Sequence, residues 1–381
     1  MRLRVDRDAF AEAVSWTVRA LPSRPAIPVL AGMRLEVPSE GSALHLSGFD
    51  YEVSARSSVE VLAEEAGAVL VPGRLLAEIV RNLPGGSVRI DTDGARVLIS
   101  AGSARFTLVT MPLEDYPTLP GMPEHIGSVP ADTFAEAVRQ VAPVASRDDT
   151  LPMLTGAYLD FTADTLSVVA TDRYRIAVRD LWWQPQAPET DTFALVPART
   201  LNDMVRGVIG GSNVEVALSP GSVGGPVPGE GTIGFENGDR RSTTRLIDSD
   251  FVKYASWFPA EPASRAEVAV APLLEAVKRV ALVADRHTPL RLMFTEGEVS
   301  LEAGSGEDAR AVEALAVDYE GDPLRVAFRP DYLMDGLSAI TTDFARLGFT
   351  DPTKPAVFTD VPPGKDGEPS FRYLVQPLRV S

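Results

Sequence analysis

The chain of 381 residues contains no cysteine. That removes disulfides, thiolate metal sites, iron–sulfur clusters and cysteine nucleophiles together. Histidine is almost as scarce. His45, His125 and His287 stand far apart, with no i, i+4 spacing and no paired carboxylate, so neither a metal site nor an acid–base constellation is expected. No run approaches the ~18 apolar residues that would cross a bilayer, and Met1-Arg2-Leu3-Arg4-Val5-Asp6 is no signal segment. The expectation is a soluble, cytoplasmic protein without membrane contact. Only Lys253, Lys278, Lys354 and Lys365 are lysine among 36 basic residues, a bias of a GC-rich genome rather than of an activity. Against 53 acidic residues these leave a net charge of −17, so any DNA contact needs a local concentration of positive charge.

Signatures of catalysis are missing too. The stretch Ser219-Pro220-Gly221-Ser222-Val223-Gly224-Gly225-Pro226 lacks the Gly-Lys-Ser/Thr ending of a phosphate loop and reads as a hairpin loop. No Gly-x-Ser-x-Gly elbow stands between a strand and a helix, and Asp148-Asp149 reads as solvated loop charge. The sequence calls for no cofactor and no enzyme.

What the chain does have is internal repetition. FAEAV at 10–14 returns at 134–138, and the offset of 124 holds through Pro28/Pro152, Leu30/Leu154 and Gly32/Gly156. LLEAVKRVALVADR (273–286) lies over FAEAVRQVAPVASR (134–147). A second element, VPGRLLAEIVRNLPGGSVRI (71–90), matches VPARTLNDMVRGVIGGSNVEV (196–216), with FRPDYLMDGLSAI (328–340) as a weaker third copy. Two elements in one order, three times over, make three homologous domains.

Each repeat opens on an amphipathic helix, with Phe10, Val14 and Val18 or Phe134, Val138 and Val141 on its apolar face. Asp8 and Asp132 precede that face as candidate acceptors of helix N–H bonds. Second helices are predicted over 73–83 and 198–208, with Leu75, Leu76, Ile79 and Leu83 turned to the sheet. Alternating segments at 43–61, 87–102 and 104–111 read as antiparallel hairpins. The fold class is α+β, with about two helices and eight strands per domain. Pro-rich joints at 116–120 and 257–259 separate domains at 1–122, 123–258 and 259–381.

Positive charge recurs with the repeat. Arg74 and Arg81 lie two helical turns apart, and Arg199 and Arg206 repeat the spacing. Arg139, Lys278 and Arg279 sit on the opening helices, and Arg24, Arg147 and Arg286 follow in loops. One basic lining on an acidic protein suits a phosphate backbone held without reading sequence. The third repeat breaks the pattern with Asp331 and Asp335.

The opening RDAFAEAVSWTVRALPSRPAIPVLAG, the segment DDTLPMLTG, the central VVATDRYRIAV and the terminal YLVQPLRV together resemble the bacterial DNA polymerase III beta subunit, the sliding clamp, in its actinomycete form, over essentially the whole chain. The resemblance implies a head-to-tail homodimeric ring of clamp domains around duplex DNA, with helices lining the hole. It implies a non-catalytic processivity factor opened by an ATP-driven clamp loader. Its partners would be the replicative polymerase alpha subunit, the loader, other clamp-motif DNA polymerases, repair proteins and cyclic-peptide inhibitors. By the same resemblance Arg24, Arg74, Arg147 and Arg199 are DNA-contacting or lining positions. Ile79, Leu83 and Phe106 would meet Leu282 and Val283 of a second copy. The partner-peptide pocket falls on Met153, Leu154, Thr171, Arg173, Arg175, Ile176, Val252, Trp257, Tyr332, Leu374, Val375, Gln376, Pro377, Leu378 and Arg379.

Three departures from the family pattern cluster there. Gln376 replaces a methionine, Val252 a common proline, and Trp257 is bulkier than usual. A diverged second clamp copy, tolerant of cyclic-peptide inhibitors, and ordinary drift are both compatible with this. Two other classes stay open on the residues alone: an enzyme with an unrecognised site on the repeat scaffold, and an interaction hub that never surrounds DNA.

Overall fold

The structure, a computed structural model, describes residues 1–39, 41–208, 210–219, 231–259, 261–284, 288–304, 309–362 and 367–379. The expected loop after Ser219, together with Arg286 and His287, lies outside the described residues. Seven α-helices occur among the described residues: α1 (Arg7–Thr17), α2 (Gly73–Arg81), α3 (Ala131–Val141), α4 (Pro152–Thr155), α5 (Ala198–Val205), α6 (Val270–Val280) and α7 (Pro330–Ala339). Six of them are the two helices per repeat that the sequence predicts. Among the described residues eight strands fall within 1–122 and nine within each of 123–258 and 259–381.

The helix ends differ from expectation. Leu83 precedes Pro84, which disfavours helical backbone at 83, so α2 stops at Arg81 and caps on Asn82. α5 ends at Val205, where the Gly207 N–H closes a tight turn on the Met204 carbonyl at 3.2 Å. The capping role falls to Asp6 rather than Asp8. Asp6 keeps extended backbone and its carboxylate accepts the N–H groups of Asp8 and Ala9 at 2.9 and 3.1 Å. Asp8, already inside the helix, pairs with Arg7 at 2.9 Å. Asp132 accepts the Gly211 N–H at 2.9 Å, a loop donor instead of a helix one.

The chain forms two compact units. The first comprises residues 1–132, 184–188 and 203–246; the second comprises 133–183, 189–202 and 247–381. In the first unit a 13-stranded sheet takes strands from the first and second repeats. The repeats meet where Arg240–Arg245 pairs antiparallel with Val53–Glu65. α1 and α2 pack on each other and on this sheet. α1 buries Phe10, Ala13, Val14 and Thr17, an i, i+3, i+4, i+7 stripe. Full burial of Phe10 alone is worth roughly 1.5–3 kcal/mol. Leu76, Ile79 and Leu83 enter the core as expected, but Leu75 is 46% exposed. The buried stripe of α2 runs through Gly73, Leu76, Ala77 and Val80, and Leu75 falls outside it.

The second unit holds a nine-stranded sheet and a separate four-stranded one. Here the second repeat meets the third: Arg175–Trp182 pairs antiparallel with Phe371–Val375. Phe161, Trp183, Phe294, Phe328, Phe358, Phe371 and Tyr373 are fully buried around these sheets.

The capping assignment has a direct check. Asp6→Ala should cost about 1 kcal/mol and speed hydrogen exchange of the α1 amides about fivefold, whereas Asp8→Ala should leave them nearly unchanged.

Candidate peptide and DNA interfaces

The seam in the second unit places the sequence-predicted pocket residues. Register pairs Ile176 with both Thr171 and Leu374, and Arg175 with Val375. Side chains on one row of a sheet share a face. Ile176 and Leu374 therefore join Val169 and Val178 in one apolar cluster. Tyr158, Phe251, Tyr254, Phe258 and Val357 pack against it. Phe251 stacks on Tyr158 at 4.9 Å, and burial raises the Tyr158 hydroxyl to about 12. The connecting segment 246–259 thus lies on the sheet through Phe251, Tyr254 and Phe258. The resemblance did not single out these three residues, although their spacing of three and four was visible in the sequence. Val252 is half-buried on the same segment, and Trp257 is 42% exposed. Met153 is half-buried and Leu154 buried on α4.

The Thr171–Arg175 turn is built by its own side chains. Asp172 accepts the N–H groups of Tyr174 and Arg175 at 3.0 and 3.1 Å, and Thr171 Oγ1 donates to the Arg175 carbonyl at 2.7 Å. Tightness forces Arg173 to φ +81°, where a side chain is disfavoured.

Arg175 turns inward from this turn. Its guanidinium donates to Asp172 at 3.0 Å, to Asp335 at 2.6 Å and to the Tyr373 hydroxyl at 3.4 Å, and lies 4.3 Å over the Tyr332 ring. Burial opposes its charge, but Tyr373 and Asp335 outweigh that and hold it above the ordinary arginine value. Arg329 covers Tyr332 as well, at 4.5 Å, while pairing with Asp331. The two acids that break the positive pattern of the third repeat are therefore spent on Arg175 and Arg329. Gly336 makes room for this: a Cβ there would stand 2.5 Å from the Tyr373 ring.

The C-terminal segment docks beside the turn. The Gln376 N–H donates to the Tyr174 carbonyl at 2.8 Å, and the Leu378 N–H to the Ala327 carbonyl at 2.7 Å. Gln376 Nε2 donates to the Thr353 carbonyl at 3.0 Å, which ties the amide to a neighbouring loop. Pro377 is buried, whereas Leu378 and Arg379 are exposed.

Arg24, Arg74, Arg147 and Arg199 are all exposed, and none has an acidic partner among the described residues. Arg74 donates to the Leu21 carbonyl at 2.7 Å, which steadies it without neutralising it. Of the residues implied at a chain–chain interface, Leu282 is 84% and Phe106 37% exposed, and Val283 is half-buried. Ile79 and Leu83 belong to the core of their own unit. His125 does have a carboxylate partner, contrary to the sequence reading. It hydrogen-bonds Glu215 from an adjacent strand, and Gln186 at 3.2 Å, on an exposed surface. The 90 residues between them hid the pair. Among the described residues His45 hydrogen-bonds Ser58, at 2.7 Å.

Comparison with known proteins matches this architecture repeat by repeat. The N-terminal, central and C-terminal domain models of the DNA polymerase III beta subunit match residues 1–120, 128–253 and 255–377. The chain belongs to the bacterial sliding clamp family. It is 51% identical to the beta sliding clamp of Streptomyces coelicolor over 382 residues, covering all of both chains. It is 42% identical over 385 residues to the beta sliding clamp homolog GriR of Streptomyces muensis, covering 100% of this chain and 99% of that one. The Pseudomonas aeruginosa clamp solved with griselimycin superposes with a TM-score of 0.88 at 26% identity, over the full length of both. A sliding clamp is a non-catalytic processivity factor that encircles duplex DNA and tethers the replicative polymerase. No described helix is long and apolar enough to cross a membrane.

The strained turn of the clamp offers a test. Arg173→Gly removes the side chain that disfavours φ +81° and should stabilise the second unit by about 1 kcal/mol, read as a raised calorimetric midpoint.

Proposed function

We propose that this clamp works in the cytoplasm as a head-to-tail homodimeric ring of six domains, each chain dividing at 1–122, 123–258 and 259–381. Arg24, Arg74, Arg147 and Arg199 face the DNA. The observation that carries this assignment is that all four lack acidic partners in a chain of net charge −17. Exposed guanidinium groups without an acidic partner bind phosphate with no ion pair to break and no base contact to fix a register. The ring closes through the edge strand Ala104–Val109 of one chain and the edge strand Arg310–Ala316 of the next, with Phe106 of one meeting Leu282 and Val283 of the other. By the family resemblance Ile79 and Leu83 belong to the same contact with Leu282 and Val283.

The cluster on Ile176 and Leu374 is the floor of a peptide pocket for the polymerase alpha subunit, the clamp loader, other clamp-motif polymerases and repair proteins. An apolar groove with a few fixed polar groups suits a short anchored peptide. Arg175 and Tyr332 fix its wall, and Gln376 borders it. Where a methionine would adapt its shape to each ligand, Gln376 is held on the Thr353 carbonyl. This supports reading the chain as a diverged copy with reduced sensitivity to cyclic peptides such as griselimycin.

Three measurements test these assignments. After loading onto nicked circular plasmid, the clamp should stay bound and be lost on linearisation; equal binding to circle and line would remove the ring. Phe106→Arg or Leu282→Glu should give monomers in analytical ultracentrifugation and abolish that retention. Griselimycin should bind the Gln376→Met/Val252→Pro double variant at least about tenfold more tightly than the parent, a difference of about 1.4 kcal/mol, and unchanged affinity would count against the diverged pocket.

A further inference from the structure

The seam between the first and second repeats sets two arginines directly against each other. In the register of the first unit Arg56 faces Arg241, and Arg56 also faces Ser47, which faces Arg34. Residues in one row of a sheet point to one face, so three guanidinium groups share it. Like charges opposite one another in a ladder destabilise it, because their Cβ atoms stand only about 5 Å apart. This face is not the one under α1: the neighbouring Ser57 points there and bonds Thr17 Oγ1 at 2.8 Å.

The row borders a pocket of about 150 Å³ lined by Ser54, Arg56, Pro120, Met122, Arg241, Ser242 and Thr243. Its base carries a hydroxyl pair, Ser54 Oγ and Thr243 Oγ1, at 2.7 Å, both residues 3% exposed. Its apolar rim is Pro120 and Met122, and this stretch lies on the sheet where Gly234 leaves space. A Cβ at 234 would stand 2.7 Å from Met122. Arg34 pairs with Glu36 at 2.9 Å and Arg241 with Glu236 at 2.8 Å. Arg56 has neither an ion pair nor a hydrogen bond among the described residues. Burial, and then the charges of Arg241 and Arg34, push its pKa down. A −17 chain thus holds an arginine without an ion pair, with the charge of Glu36 alone in its favour, against a second arginine and beside a polar-floored pocket.

We propose that this pocket is an oxyanion site for a phosphate group, held between the guanidinium groups of Arg56 and Arg241 over the Ser54–Thr243 hydroxyls. A dianion there converts the repulsion across the seam into two charge-assisted attractions. It also ties a strand of the first repeat to a strand of the second, so binding stabilises the first unit by mass action. The pocket is distinct from the peptide pocket, which lies wholly in the second unit, and from the four arginines assigned to DNA. Its ligand is either free phosphate or the phosphate of a small monoester whose remainder rests on Pro120 and Met122.

The test is calorimetric titration of the intact clamp with inorganic phosphate and, separately, with adenosine monophosphate, at constant ionic strength. One saturable site per chain is expected with inorganic phosphate below ~10 mM. Arg56→Gln and Arg241→Gln should each weaken it about tenfold or more, the loss of one charged hydrogen-bond donor. Arg325→Gln, an exposed change in the second unit, should not alter it. In phosphate-free buffer Arg56→Gln should melt no lower than the parent, since it removes a repulsion, and phosphate should raise the parent's midpoint more than the variant's. Tighter binding of the nucleotide makes a monoester the ligand, and equal binding makes it the free anion; either keeps the site. Absence of saturable binding to both probes, or affinity that neither Arg56→Gln nor Arg241→Gln changes, overturns the proposal.

Discussion

Register at two main-chain seams governs what this clamp can present to a partner. Arg240–Arg245 must pair with Val53–Glu65, and Arg175–Trp182 with Phe371–Val375, because each pairing joins one repeat to the next through backbone hydrogen bonds. Side chains alternate across a strand, so a slip of one residue would turn Ile176 away from Leu374 and Arg56 away from Arg241. Neither surface belongs to a single repeat. Each exists only where two repeats are hydrogen-bonded in one register, which makes folding of the seams and assembly of the surfaces the same event.

Electrostatics divides the arginines into two populations. Arg175 is buried among Asp172, Asp335 and Tyr373 and acts as a structural cation beside the Ile176–Leu374 cluster. Removing one partner from such a network strands the others, so its members are expected to tolerate little change. Arg24, Arg74, Arg147 and Arg199 carry the same charge without an acidic partner among the described residues, and all four are exposed. The third repeat gives up basic residues on its second helix for the opposite purpose. Asp331 and Asp335 hold the arginines that lie against the Tyr332 ring.

Much of this was legible in the sequence because repetition and periodicity are local. The six repeat helices and the hairpins at 43–61 and 87–102 follow from spacing alone, and the pocket residues came from the family resemblance. What escaped was set by sequence-distant partners or by exact positions. Asp335 reaches Arg175 across 160 residues, and His125 reaches Glu215 across 90. Composition does not separate Asp6 from Asp8 as the cap, because a cap is identified by one residue's backbone conformation. The apolar character of Leu75 suggests burial, whereas the face of α2 is decided by which positions meet the sheet. The opposition of Arg56 and Arg241 is invisible without register, since each looks like an ordinary surface arginine in its own strand.

Both sheet edges noted above have a further consequence. Ala104–Val109 and Arg310–Ala316 each pair on one side only among the described residues, and neither contains lysine or proline. They expose Phe106, Val109 and Val312 beside unpaired main-chain groups. Such ribbons are templates for aggregation wherever they stay uncovered. Whatever covers them also shields these ribbons from that pairing, so a chain separated from its cover carries two templates for aggregation.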